Sequence, residues 1–196
     1  MANTANKVKF GLKNVHYAKI TFDDDGNATF ATPVKIPGAV NLSLDPEGEP
    51  EIFWADNVNY YVMNNNSGYS GDLEIALVPE QFLEDILHEE ADSNGVLAEN
   101  TDIEIEHFAL LFEFNGDQRK TRHVLYNCTC TRPAIEGATT EDSKEVQTET
   151  LSLTATALVN GYVKAKTGTN TSSTVYDGWY DAVYEPTTTS DDTVNG

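Results

Sequence analysis

From residue 145 to 158, hydroxyl and apolar side chains alternate almost without a break. Val146, Thr148, Thr150, Ser152, Thr154 and Thr156 fall on one side of a period-two pattern, and Leu151, Leu153, Ala155 and Ala157 on the other. A helix would scatter the hydroxyls around its axis; only a strand separates them cleanly. At ~3.3 Å per residue this stretch would span roughly 45 Å, longer than an ordinary strand. A long strand with one solvated, threonine-rich face suits the wall of a wide barrel better than a compact core.

The same period recurs along the chain. His16, Ala18, Ile20 and Phe22 share a face, and Asp23-Asp24-Asp25-Gly26-Asn27 then turns the chain. Residues 38–46 and 50–63 read as two strands separated by the acidic segment Asp45-Pro46-Glu47-Gly48-Glu49-Pro50, and 69–78 as a strand directing Leu73, Ile75 and Leu77 inward. Phe108, Leu110, Phe112 and Phe114 form a buried face, Asn115-Gly116-Asp117 marks a hairpin, and the return strand runs from about 120 to 131, before Pro133. A further hairpin is expected over 161–185, with Trp179 and Tyr180 in it. One segment breaks the pattern: Phe82, Leu83, Ile86 and Leu87 lie on one helical stripe, and Pro79 and Glu80 suit the first turn. The expected fold is therefore mainly β, with two packed antiparallel sheets in a sandwich or barrel-like arrangement and one short flanking helix at about 79–90. A flexible arm over 1–14, a single domain over 15–185 and a loose tail over 186–196 complete the expected organisation.

Charge narrows the range of partners. The 196 residues carry 12 basic and 32 acidic side chains, a net of -20. Lys7, Lys9, Lys13 and Lys19 precede the first acid, Asp23, whereas the 83 positions from 36 to 118 hold 19 acids and no base. A tight grip on phosphates needs clustered Lys and Arg, so nucleic-acid binding is disfavoured. Nine Tyr and eight Phe set the chain apart from acidic disordered segments. No apolar run reaches membrane-spanning length, so no membrane partner is expected, and the N-terminus is not read as a secretion signal.

Searching for chemistry leaves little. No phosphate-binding loop, nucleophile elbow, zinc-protease motif or dinucleotide fingerprint is present. Fitting residues 21–32 to a calcium loop leaves threonines at two positions that need carboxylates, so 23–27 reads as a hairpin turn. Cys128 and Cys130 point to one face of a strand, which leaves their β-carbons too far apart for a relaxed disulfide. His123, at odd parity, is expected to face away from them, and two reduced cysteines follow. Glu104, Glu106 and His107 read as a solvated strand edge rather than an acid–base pair. Trp54, Tyr60, Tyr61, Tyr69, Trp179 and Tyr180 read as packing or subunit-interface residues before they read as a sugar-stacking platform. No catalytic, cofactor or metal residues are assigned, and the chain is not read as an enzyme.

Three runs carry a resemblance: IFWADNVNYYVMNNNSGYSGDLEIALVPEQF (52–82), FALLFEFNGDQRKTRHVLYNCTCTRP (108–133) and EVQTETLSLTA (145–155). With the NGYVKAKT segment and the DGWYDAVYEP close, they resemble the major tail proteins of long-tailed bacteriophages infecting Gram-positive hosts. The resemblance implies rings, usually of six copies, stacked into the hollow tube through which the genome leaves the capsid. It implies a virion component, assembled in the host cytoplasm and partnered by tape-measure, tail-terminator and baseplate or distal tail proteins. Double-stranded DNA would pass through the lumen without specific binding. Inner strands of all copies would join in one barrel, and arms and the long loops near 41–69 would clasp the next ring.

On that reading part of the 36–118 acidic excess faces the lumen and repels DNA. Lys7, Lys9, Lys13 and Lys19 would pair with acidic surface on an adjacent copy, and Trp54, Asp56, Tyr60, Tyr61, Thr148, Thr150 and Thr154 are further inter-subunit candidates. The alternative is a monomeric β-sandwich module that binds carbohydrate or serves as an adhesin domain; a calcium-stabilised surface protein is a third reading.

Overall fold

The structure is a computed structural model that describes residues 9–63, 65–115, 120–139 and 146–187. Strand β1 (Leu12–Phe22) opens the described chain and returns through the acidic turn as β2 (Ala28–Phe30). Asp23 closes that turn by accepting the N–H groups of Asp25 and Asn27 at 3.0 and 2.8 Å, so its carboxylate serves the hairpin. Next come β3 (Val34–Lys35), β4 (Ala39–Glu47), β5 (Glu51–Ala55), β6 (Val58–Met63) and β7 (Gly68–Ile75), then helix α1 (Glu80–Asp85). Two short strands, β8 (Glu90–Ala91) and β9 (Leu97–Ala98), precede β10 (Phe108–Phe114) and β11 (Arg122–Cys130). The described chain closes with β12 (Glu149–Thr156), β13 (Lys164–Lys166), helix α2 (Ser173–Asp177) and a single 3₁₀ turn at Gly178–Tyr180.

The fold is mainly β and antiparallel, with α1 as the expected flanking helix. One large sheet has the order β2-β1-β10-β11-β12-β7-β4, with β3 also on β1 and β13 also on β11; β5-β6 and β8-β9 are separate pairs. The sheet curls, so that β4 comes back near β1, and the Ile36 N–H extends the β3–β1 ladder to Val15 O at 2.8 Å. Packed sheet layers thus arise from two halves of one curled sheet, which stops short of a closed barrel.

Strand β10 explains why the sheet has two cores. Phe108 through Glu113 are all buried, as expected for a central strand covered on both faces. On the concave side Phe108, Leu110 and Phe112 meet Val15, Tyr17, Leu73, Leu151 and Leu153, and α1 seals them with Phe82, Ile86 and Leu87. Tyr17 stacks edge-on against Phe82 with centroids 5.0 Å apart and donates to the Asp85 carboxylate at 2.6 Å. On the other side Ala109 and Leu111 join Ala18, Val124 and Tyr126 under a lid made by Leu158, Trp179 and Val183.

Several expectations change. The helix ends well before residue 90, because His88 adopts a left-handed conformation (φ 55°) and the Glu89 N–H turns back to Leu83 O. Leu77 is 69% exposed: β7 ends at Ile75, and the bend toward Pro79 buries Val78 in its place. The long 145–158 strand shrinks to Glu149–Thr156, although its hydroxyl and apolar faces separate as expected. Residues 50–63 form two strands instead of one. The hairpin expected over 161–185 contributes only β13, because Ser172 caps α2 through the Val175 N–H and draws the chain out of the sheet.

His123 does not face away from the cysteines. Phe108 and Leu110 pair with Cys128 and Leu125, so three residues of β11 oppose two of β10, and this bulge shifts the parity. His123, Leu125, Cys128 and Cys130 consequently share the concave side, with His123 stacked on Phe112 at 5.1 Å. Both cysteines are free and buried, and burial pushes each thiol up to about 12.

Candidate assembly surfaces

Three surfaces gather the residues singled out from sequence. The first is the hairpin of β5 and β6. Asp56 and Asn57 take left-handed conformations (φ 50° and 60°), which gives the tight two-residue turn that matches strand twist. At its root, Gly48 (φ 126°) lets the two backbones run close, since a β-carbon there would lie 2.3 Å from the Asn65 carbonyl oxygen. Every residue of both strands except Ala55 is exposed, including Ile52, Phe53, Trp54 (63%), Tyr60 (69%), Tyr61 and Val62. An isolated two-stranded hairpin is marginally stable in water, and a contiguous apolar patch of this kind marks an interaction surface. The predicted residues Trp54, Asp56, Tyr60 and Tyr61 therefore lie on one element.

The second surface is the outer face of β4, β7 and β12. Cross-strand registry makes three rows: Asn41, Glu74 and Thr150; Ser43, Asp72 and Ser152; Asp45, Ser70 and Thr154. Ser152 donates to Asp72 and Thr148 to Glu74, each at 2.7 Å, and Ser70 donates to Glu47. Thr148 lies just outside β12 but joins this face through that bond. No Lys or Arg occupies these rows, so the face is hydroxyl-rich and uniformly acidic.

The third surface is a pocket of about 200 Å³ at the mouth of the curled sheet, with an apolar floor that includes Leu44, Phe112 and Phe114. Lys9, His123 and Lys164 are on its rim; Lys9 Nζ stands 5.0 Å from the Phe114 ring centroid and Lys164 Nζ 4.2 Å from that of Tyr69. Of the four N-terminal lysines, Lys7 lies outside the described residues and Lys13 is exposed opposite Glu113. Lys19 stands 3.4 Å from Glu106 of its own chain. The segment read as an arm is already tied to the sheet at its end, since β1 begins at Leu12 and the Asn115 N–H bonds Gly11 O.

Of the polar residues weighed for catalysis, Glu106 and His107 have separate structural partners. Glu106 accepts from His88 at 2.9 Å, while the His107 ring lies 2.6 Å from Asn127 Oδ1. Glu113 is buried, accepts from Asn14 at 2.8 Å and lies 3.4 Å from Arg122 Nε. Arg122 in turn lies over the Tyr176 and Tyr180 rings, and so ties the C-terminal helical segment to the sheet. Among the described residues, no three His, Cys, Asp or Glu side chains are grouped to hold a metal ion. Local sequence missed the pocket entirely, because its lining comes from six separated stretches of chain. No protein-family model matches the chain, and no curated protein is significantly similar to it.

Proposed function

We propose that this chain is a self-assembling structural protein, a tube-forming major tail protein of a long-tailed bacteriophage. One observation carries the proposal: the β5–β6 hairpin presents an apolar, aromatic surface on both faces with no cover from the described residues of its own chain. A second copy supplies that cover by stacking, and the copies build rings and then a hollow tube. The hydroxyl and carboxylate face of β4, β7 and β12 suits the lumen, because aligned carboxylates repel DNA phosphates and let a genome slide. Tape-measure, tail-terminator and baseplate or distal tail proteins are the partners on this reading, and the virion is its place after assembly in the host cytoplasm.

A monomeric carbohydrate-binding module gains less support. Its stacking platform would need the aromatics together, yet Trp179 is 2% exposed and packed on Tyr184, far from solvent. Negative-stain electron microscopy of the concentrated protein, with light scattering for mass, tests the proposal. Rings or hollow tubes are expected. A monodisperse monomer that binds a glycan column would move the chain to the binding-module reading.

A further inference from the structure

The rim of the pocket and the tip of the hairpin are complementary in charge. In a chain with 32 acids, Lys9 and Lys164 have no carboxylate partner among the described residues: Lys9 lies over the Phe114 ring, and Lys164, beside the Tyr69 ring, donates to its hydroxyl. The hairpin has the opposite character. It carries Glu51 and Asp56, contains no basic residue, and places Trp54 beside the turn, paired with Asn59. Of the large aromatics on the hairpin, Trp54 is the closest in sequence to the turn, and about 200 Å³ is room for a single aromatic side chain. Cation–π contact would strengthen such a seat, and the opposite charges would fix its register.

We propose that this pocket receives Trp54 from the hairpin of a second copy, with Asp56 of the incoming turn against the Lys9 and Lys164 ammonium groups. The inference rests on the self-assembly reading and adds the receptor to it. Hairpin and pocket are different surfaces, so the contact is heterologous: it closes into a ring or propagates as a filament and does not end at a two-fold dimer.

Mixing two variants of the full chain tests the contact. Trp54→Ala keeps the pocket and loses the plug; Lys9→Glu/Lys164→Glu keeps the plug and loses the pocket. Each variant alone, checked as folded by circular dichroism, is expected to need about tenfold more protein to assemble than the unaltered chain, the size of effect a lost anchor has at an interface. Mixed in equal amounts at low concentration, they should form a one-to-one dimer by light scattering, because one competent plug meets one competent pocket. A pocket variant that is folded and assembles like the unaltered chain would overturn the docking while leaving self-assembly standing. Absence of the mixed dimer would overturn it as well. An unaltered chain that stays monomeric at every concentration would overturn self-assembly and this contact together.

Discussion

Strand β10 and the β5–β6 hairpin are made of the same kinds of residue and live in opposite surroundings. FALLFEF is buried on both faces between α1 and the C-terminal segment, whereas EIFWA and VNYYVM are exposed on both faces. Apolar composition sets what a strand must eventually be covered by, not when or by which chain. In β10 the cover comes from the same polypeptide, so the side chains contribute to monomer stability. In the hairpin none of the described residues supplies it, so on the proposed self-assembly the same side chains contribute to association. This contrast separates folding from assembly within one sheet protein, and it can be broken experimentally.

The largest effect is expected at β10. Leu110→Ala removes a wholly buried side chain and should cost about 4 kcal/mol in urea unfolding. Tyr60→Ala in the hairpin should change monomer stability by no more than about 0.5 kcal/mol. Similar costs for the two would erase the distinction.

Next comes the boundary between sheet and C-terminal cover. Glu113→Ala leaves Arg122 without its buried partner and should cost about 3 kcal/mol, with Tyr176 and Tyr180 loosened in near-ultraviolet circular dichroism. A loss under 1 kcal/mol, with an unchanged spectrum, would mean the C-terminal segment is held by Trp179 and its neighbours alone.

The smallest effect lies at the solvent edge. Burial acts to raise the Glu106 carboxyl, but the His88 hydrogen bond and the nearby Lys19 charge outweigh it and hold the group below its ordinary 4.5. A depressed carboxylate contributes stability above that ordinary value and loses it as pH falls through the folded value. With the side chain 34% exposed, screening limits the contribution to about 0.5 kcal/mol. Glu106→Gln should remove that part of the acid dependence, as read from unfolding midpoints between pH 6 and 3, roughly the range of carboxylate titration. An unchanged profile would place the acid dependence elsewhere.

Sequence showed the period-two strands, the polar face of β12, the stripe of α1 and the apolar face of β10, because each rests on local alternation. It hid what depends on a single exceptional residue. Asp56-Asn57 lacks the glycine that usually announces a tight turn, so two strands read as one. The bulge in β11 left no mark in the run VLYNCTC, yet it decides that His123 shares a face with Cys128. Ala109 and Leu111 could not be assigned a second core without the C-terminal segment that covers them. Among the assembly residues, the hairpin aromatics and the β12 threonines were visible as types. The pocket was not, since Lys9, Phe112 and Lys164 meet only through long-range pairing.

The narrow root of the hairpin has a consequence for how such a protein can diversify. Residues 48–67 leave the sheet after Glu47 and rejoin it at Gly68, where the Ser67 N–H bonds Glu47 O at 2.9 Å. No described residue between Gly48 and Ser67 belongs to either buried core. Apart from Gly48 and the Asp56-Asn57 turn, drift in this segment is therefore little constrained by the cores, and a graft of 48–67 from another chain of the same fold would be inherited as a unit. On the proposed self-assembly, compatibility between copies can then change by exchange of one cassette while the scaffold that carries it stays the same.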